Sequence, residues 1–348
     1  DHPMQRRFAS DPLFQATIDL LQERIPKASM WHAYDTQLVD VPAITDTPEL
    51  PVRAFDTPHT STPALQLLSN GRYHVMISNA GGGYSRWKDL AVTRWREDST
   101  CDNWGTFCYL RDVETGKLWS NTFQPTLAPP DSYEAIFTEP RIEFRRRDHE
   151  LDTHTDVAVS PEDDIELRRV RIVNRSRTRK TIDVTSYAEV VLAPAIAEEL
   201  HRVFSNLFVQ TEIIQPLQAI ICTRRPRSST EQPPWMFHLF VVHGLTSSRT
   251  SYETDRARFI GRRNSLTAPL ALRDSAPLSG SAGPVLDPIV AIQHRVALDP
   301  DESVILDMVT GVCESRAACL ALVGKYQDRR LADRVFDLAW THSQVALR

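Results

Sequence analysis

The sequence predicts a mainly β protein: one large antiparallel sandwich of two sheets over residues 67–313, with an N-terminal helix before it and linker helices after it. Two observations carry that prediction. Across the middle of the chain, apolar residues recur at every second position in more than ten short runs separated by turn-forming residues, the pattern of half-buried antiparallel strands. At both ends the apolar period changes to that of a helix.

At the N-terminus, Asp11 and Pro12 read as a cap and first helical residue, and Leu13, Ile18, Leu21 and Ile25 give a helical stripe closed by Pro26. Residues 1–26 are therefore expected to form a helical segment. Residues 27–66 hold prolines at 42, 48, 51, 58 and 63 and no glycine, which predicts an extended, semi-rigid linker. Alternation begins at Tyr73, Val75 and Ile77, and Phe107 and Tyr109 continue it. Glu114–Lys117 forms a turn, and Leu118–Phe123 returns from it. Further strands are predicted at 133–137, 142–144, 151–159, 165–172, 182–192, 206–214, 218–224, 235–243, 251–254, 289–297 and 303–312, with Ser160–Asp164 and Asn174–Ser176 as turns. Ser315 is placed to cap a helix ended by Gly324. Asp328 is placed to cap a second helix whose stripe of Leu331, Val335, Leu338, Ala339, His342 and Val345 calls for a partner, in this chain or beyond it.

The net charge of −5 excludes bulk electrostatic recruitment to nucleic acid or an anionic membrane. No apolar run approaches the roughly 20 residues that span a bilayer, and the opening DHPMQRRF lacks the apolar region of a signal peptide. Starting without Met, the chain reads as a piece of something longer. Its five cysteines form no CxxC pair, so free thiols and a cytoplasmic setting are expected, with no metal.

The chemistry-bearing stretch is Ser78–Trp119, which holds four of the seven tryptophans and, at Gly81–Gly83, a quarter of the glycines. Glycines permit close approach of a ligand to the backbone. Tyr84, Arg86 and Trp87, then Arg94, Trp95 and Arg96, offer aromatic faces and forked donors suited to a sugar ring or a phosphate. A tight turn whose tryptophans cover a β core fits the same residues, and composition favours it. Asp98 and Asp102 fit either sugar hydroxyls or turn capping. Asp163–Asp164 and Glu198–Glu199 are adjacent pairs whose side chains would diverge in a strand. Glu199–Asn206 reads as a loop between two strands that carries His201, Arg202 and Asn206. The runs Arg145–Arg147 and Arg224–Arg227 read as solvated strand ends, and His149 and His154 as solvent-facing. Phosphate-loop, dinucleotide and nucleophile-elbow motifs are missing.

The segments NGRYHVMISNAGGGYSRWKDLAVTRWRED, DVETGKLWSNTFQPT, VSPEDDIELRRVRIVN, TSYAEVVLAP, FSNLFVQTE and YETDRARFIGR resemble, in order, the β-sandwich domain of glycoside hydrolase family 94. This is the family of cellobiose and chitobiose phosphorylases. The resemblance is greatest to the version inside bacterial cyclic β-1,2-glucan synthases, and it reaches back to RRFASDPLFQATIDLLQERIP. It implies a super-sandwich similar to galactose mutarotase, with residues 314–348 leading into an (α/α)6 barrel that this chain does not contain. The family's catalytic Asp lies on that barrel, so the resemblance assigns no catalytic residue here. It implies inverting phosphorolysis in the whole protein, with inorganic phosphate as co-substrate, no cofactor, a β-glucan oligosaccharide as ligand and a homodimer as the assembly. Phosphate is already anionic, so one carboxylic acid suffices where hydrolysis needs two. The matching loop positions are Gly83, Tyr84 and Ser85, with Arg86 and Trp87 beside them, and His201, Arg202 and Asn206. The disaccharide phosphorylases carry Gln-Arg where this chain has His201-Arg202. The synthase resemblance implies a setting at the cytoplasmic face of the bacterial inner membrane. Two other functions stay open. One is a stand-alone carbohydrate-binding module with Tyr84, Trp87, Trp95 and Trp104 as its platform. The other is a mutarotase-like enzyme, which requires a His–carboxylate pair in the sandwich cleft.

Overall fold

The computed structural model describes residues 52–346, apart from residues 99, 227, 229, 230 and 246. The N-terminal helix expected over residues 1–26 and most of the expected linker lie outside the described residues. The strands are β1 Arg53–Phe55, β2 Leu65–Ser69, β3 Tyr73–Ser78, β4 Gly83–Trp87, β5 Leu90–Thr93 and β6 Thr106–Asp112. They continue as β7 Leu118–Ser120, β8 Ser132–Phe137, β9 Ile142–Asp148, β10 Leu151–Val159, β11 Ile165–Asn174 and β12 Lys180–Pro194. The last six are β13 Val209–Ile214, β14 Ala219–Arg224, β15 Trp235–His243, β16 Arg249–Asp255, β17 Pro288–Leu298 and β18 Ser303–Cys313. Among the described residues four α-helices accompany them: α1 Ala195–Asn206, α2 Arg256–Ile260, α3 Arg316–Tyr326 and α4 Arg329–Ala346.

All pairings run antiparallel and build two large sheets, the mainly β sandwich that the alternation predicts. The first has the order β1-β8-β9-β10-β11-β18-β15-β14-β13. The second runs β16-β17-β12-β5-β4-β3-β2, with β6 also pairing β12, and β7 pairing β6. β12 is the hinge of this second sheet. Its first half lies between β17 and β6, and after a register shift between Val190 and Ala193 its last residues pair with β5. Alternation sets the facing: Leu151, Val157 and Val159 of β10 and Val170 and Ile172 of β11 point into the core between the sheets. Each such fully buried side chain contributes ~1.5–3 kcal/mol relative to exposure.

Three expectations are corrected and one open point is settled. Within the expected linker, Arg53–Phe55 pairs with β8 and Leu65–Ser69 with β3; an extended, glycine-free segment is well suited to edge strands. The stripe of α4 has its partner in this chain. Ala332, Val335 and Ala339, with Cys319, Val323 and Tyr326 of α3, pack on Ala158, Leu167, Phe237 and Val309 on the outer face of the first sheet. Helix α3 runs past Gly324 to Tyr326, because a helical glycine is tolerated where tertiary packing holds the helix. The basic runs are not wholly solvated. Arg146 is buried against Asp148 at 2.6 Å, and Arg224 is buried with its Nη1 donating to Val191 O and Ser205 Oγ, each at 3.2 Å.

Candidate functional site

The glycine run is a turn between β3 and β4, closed by Ser78 N–H donating to Gly82 O at 2.7 Å and Gly81 N–H to Ser78 O at 2.9 Å. Gly81 has φ +94, a conformation that side chains disfavour. A Cβ on Gly82 would collide with the carbonyl oxygen of Asp102, and one on Gly83 with that of Met76. A Cβ on Gly81 would meet the Thr122 side chain, so protein rather than ligand lies against all three glycines, and all three are buried. Asp102 fastens the turn, accepting from Ser78 Oγ at 2.9 Å and Gln124 Nε2 at 2.5 Å, while Asp98 caps its own turn through Thr100 N at 2.8 Å. The sequence left turn capping open for both carboxylates; Asp98 takes that role, whereas Asp102 ties together side chains around the glycine turn.

From Gly83 the chain alternates. Ser85 and Trp87 point inward, where Ser85 Oγ donates to Glu166 and Trp87 Nε1 to Asp164 Oδ2 at 2.7 Å. Tyr84 and Arg86 point outward and line a cleft of about 510 Å³. Its other walls are Ala91 and Thr93 of β5, Trp95, Arg96 and Glu97 after it, Val191 of β12, and Ala195, Glu198 and Glu199 of α1. The rings of Tyr84 and Trp95 meet edge to face, with centroids 5.6 Å apart at 63°, and Arg86 lies 5.9 Å from the Tyr84 centroid. An aromatic wall beside carboxylates and guanidinium groups suits a sugar, which offers apolar C–H faces and hydroxyl edges.

Helix α1 is held against this cleft by one buried cation. Arg94, fully buried, donates from Nε to Glu198 Oε1 at 2.6 Å and from Nη2 to Asp287 Oδ1 at 3.0 Å, and it pairs through Nη1 with Glu189. Asn206 joins at the far end of the helix, its Oδ1 3.3 Å from Arg94 Nη2 and its Nδ2 donating to Asp287 at 3.0 Å. Arg256 reaches Glu189 at 2.7 Å, and Arg202 reaches Asp287 at 3.1 Å. Burial works against the Arg94 charge, but Glu189, Asp287 and Glu198 outweigh it and hold the guanidinium above its ordinary pKa. Burial likewise opposes ionisation of Glu189, and Arg94 and Arg256 hold its carboxyl below the usual range. Burial first, then Arg94, pulls the Arg202 pKa down. Glu198 keeps one oxygen, Oε2, buried and without a hydrogen-bond partner.

The expected loop at Glu199–Asn206 is the C-terminal part of α1, which breaks at His201 with φ −143 and ψ 56. Ile196, Leu200, Val203, Phe204 and Leu207 repeat near helical spacing, a signal that the Pro194 boundary obscured; their apolar side chains are exposed. His201 is exposed on this helix and does not line the cleft, whereas Arg202 and Asn206 belong to the Arg94 network. Of the eight positions expected to contact substrate, the cleft brings together Tyr84 and Arg86. Sequence reasoning passed over Glu97, Glu198 and Glu199 as contributors to it. Of the proposed aromatic platform, Tyr84 and Trp95 meet, Trp87 is buried, and Trp104 borders a separate depression beside Arg256. No histidine lines the cleft. The pairs His154–Glu143 at 3.3 Å and His243–Asp307 at 3.0 Å sit on the first sheet, away from it. Among the described residues, the cleft does not bring together the His–carboxylate pair expected of a mutarotase-like enzyme. His154 points away from the inter-sheet core with its side chain 38% exposed, and Glu143, His154 and Asp156 bring potential ligand atoms within 4.8 Å of one another. Arg141 and Arg145 already neutralise Glu143, at 2.6 and 3.1 Å. No helix among the described residues is long and apolar enough to cross a membrane.

The chain is 34% identical over 344 residues to the cyclic beta-(1,2)-glucan synthase NdvB of Rhizobium meliloti (strain 1021), covering 98% of this chain and 12% of that protein. It is 25% identical to N,N'-diacetylchitobiose phosphorylase of Vibrio furnissii, covering 80% of this chain and 34% of the phosphorylase. It is 24% identical to 3-O-beta-D-glucopyranosyl-beta-D-glucuronide phosphorylase of Paenibacillus borealis, covering 74% of this chain and 32% of that enzyme. A solved bacterial glucoamylase complexed with acarbose overlaps 84% of this chain and 40% of its own, at a TM-score of 0.46 and 7% identity. The chain thus spans a minor part of each of these relatives. Residues 48–329, which take in both sheets and every wall of the cleft, match the family model for the supersandwich domain of glycosyl hydrolase 94, and the chain belongs to that family.

Proposed function

We propose that this chain is the glycan-contacting domain that completes the active site of a longer phosphorylase or cyclic β-1,2-glucan synthase. The observation that carries the reading is its membership of the glycosyl hydrolase 94 supersandwich family while spanning about a third or less of the synthase and phosphorylases it resembles. In the whole protein the reaction is inverting phosphorolysis of a β-glucan by inorganic phosphate. The acid that protonates the leaving oxygen lies on a following barrel domain, and the protein works in the cytoplasm as a homodimer. Within this chain the cleft supplies binding: Tyr84 and Trp95 pack on a sugar face, and the exposed carboxylates of Glu97 and Glu199 accept hydrogen bonds from sugar hydroxyls. The experiment is phosphorolysis of β-1,2-glucan followed by release of glucose 1-phosphate. The chain by itself is expected to release none, and the longer protein to release it at enzymatic rates. Turnover by the chain alone, with contaminants excluded, would overturn the reading.

The Tyr84–Trp95 wall also fits a binding module that works by itself. Calorimetric titration of the chain with β-1,2-gluco-oligosaccharides separates the two. Tight binding by the chain alone favours the module, and binding that needs the longer protein favours the completing domain.

A further inference from the structure

We propose that the outer face of the second sheet carries an oxyanion site, built by Arg111, Arg249 and Arg295 and distinct from the cleft. Strand register creates it. Arg111 of β6 stands opposite Asp183 of β12, Asp183 opposite Arg295 of β17, and Arg295 opposite Arg249 of β16. Four neighbouring strands thus line up three guanidinium groups with one carboxylate in a single cross-strand row. Asp183 lies eight residues before Val191 of the cleft on the same strand, about 26 Å at the rise of a β-strand.

Hydrogen-bond accounting leaves this row short of acceptors. Arg295 takes both oxygens of Asp183, from Nε and Nη2, each at 2.7 Å, and also donates to Ser275 O at 3.0 Å. Arg249 spends Nη1 on Ser275 O at 2.8 Å and Nη2 on Gln293 Oε1 at 3.3 Å, and its Nε is buried with no acceptor. The Arg111 side chain is 8% exposed, yet its Nε and Nη1 are both buried without a partner. Its Nη1 is 3.8 Å from Asp183, and Arg249 Nη2 is 3.7 Å from it, both too long to be hydrogen bonds. The nearby Lys180–Asp112 pair, at 3.7 Å, adds one charge of each sign, so the row keeps an excess of two positive charges.

Buried guanidinium N–H groups without acceptors are costly, and like-charged neighbours raise the cost. Burial and the Arg295 charge pull the Arg249 pKa down, the mark of a cation short of counter-charge. A compact dianion offers what is missing: several acceptor oxygens in one place and two negative charges, in the geometry that arginine forks bind bidentately. Inorganic phosphate and the phosphoryl group of a sugar phosphate share this chemistry. Partial exposure of Arg249 and Arg295, 26% and 20%, leaves a way in.

The test is titration of the 348-residue chain with inorganic phosphate and, separately, with glucose 1-phosphate, by calorimetry and by thermal melting, with sodium chloride at matched ionic strength as the control. Saturable binding is expected, with Tm rising by about 4 °C at about 100 times Kd. Binding of both ligands in competition assigns the phosphoryl group as the determinant, and binding of phosphate alone assigns the free ion. Arg249→Gln, at the exposed end of the row, should weaken binding at least tenfold while the ligand-free Tm changes little. Arg111→Met should abolish binding, and if that variant does not fold, Arg249→Gln carries the test. An absent saturable signal, an equal response to chloride, or phosphate affinity unchanged in Arg249→Gln would overturn the proposal. Because these readouts are binding to this chain and not turnover, they stand or fall separately from the proposed function.

Discussion

Replacing Arg94 with Met is the sharpest test of how this fold holds its cleft. The substitution keeps much of the side-chain volume and removes the one cation shared by Glu189, Glu198 and Asp287. Arg256 and Arg202 remain, so the three carboxylates are left underpaired rather than bare. Removing one partner of a buried ion pair costs about 3–5 kcal/mol, because the other is stranded out of water. The compact unit Leu50–Arg348 has 299 residues, and at about 2.1 cal/mol/K per residue its unfolding entropy is about 0.6 kcal/mol/K. The Tm at pH 7 should therefore fall by about 5–8 °C in calorimetry. The sign of the pH dependence follows from Glu189, whose folded pKa Arg94 and Arg256 hold down against burial. In the parent chain its stabilising contribution is present above the unfolded value of about 4.3 and is lost as pH falls through the lower folded value. Without Arg94 the folded carboxyls take up protons more readily, so acid relieves the repulsion. The gap between variant and parent should narrow as pH falls from 7 towards 4.5. A Tm loss under about 2 °C at pH 7, or a gap indifferent to pH, would refute the claim that this guanidinium is what anchors α1.

Three further outcomes are expected. Trp95→Ala should weaken oligosaccharide binding by roughly tenfold, since an aromatic contact adds ~0.5–1.5 kcal/mol beyond its buried area, with Tm nearly unchanged because Trp95 is only half-buried; titration of the longer protein reads this. Gly83→Ala should abolish soluble folding or lower Tm by more than any cleft substitution, because the added methyl meets a strand carbonyl that cannot rotate away; circular dichroism melts check it. Burial pushes the pKa of His238 down to about 3 and of His294 down to about 4. Both therefore stabilise the fold fully above the unfolded value of about 6.5, and that stability drains away as pH falls from there towards the folded values. The slope is up to ~1.4 kcal/mol per pH unit for each. His238→Gln, which can keep contacts to Ser186 and Thr310, should halve the slope of urea midpoint against pH between 6 and 4.5.

The strands that sequence reasoning located are those with one wet or differently packed face. In β10, Leu151, Val157 and Val159 face the inter-sheet core while Asp152, His154 and Asp156 are half-buried on the other side, so the period of two is written in the residues. It fails at the sheet margins. Arg53–Phe55 has too few residues to show a period, and Leu65 and Leu67 of β2 are apolar yet exposed on an edge. The two C-terminal helices were located, but what they pack on was not, for a related reason. An apolar stripe says that a partner exists, not where it is. For α4 the partner is the outer face of the first sheet, whose strands carry apolar residues on both sides.

The cleft was half legible for the same geometric reason. Tyr84 and Arg86 are two apart, so once Gly83 starts a strand they must share a face, and Ser85 and Trp87 must take the opposite one. Reading Gly83–Trp87 as a loop hid that division and grouped core and cleft residues together. The opposite wall was not legible at all, because Glu198 and Glu199 enter the cleft from a helix placed by Arg94, more than 100 residues earlier in the chain. One arginine thus links two separate signals in the sequence: the Arg-Trp-Arg run that suggested a ligand, and the adjacent glutamates dismissed as diverging. Arg94 itself faces inward and is spent on structure, while Trp95 and Arg96 beside it line the cleft. A run that reads as one binding motif is therefore a division of labour, with one residue building the wall and its neighbours lining it. That division also separates the effects expected of Arg94→Met and Trp95→Ala, one on stability and the other on affinity.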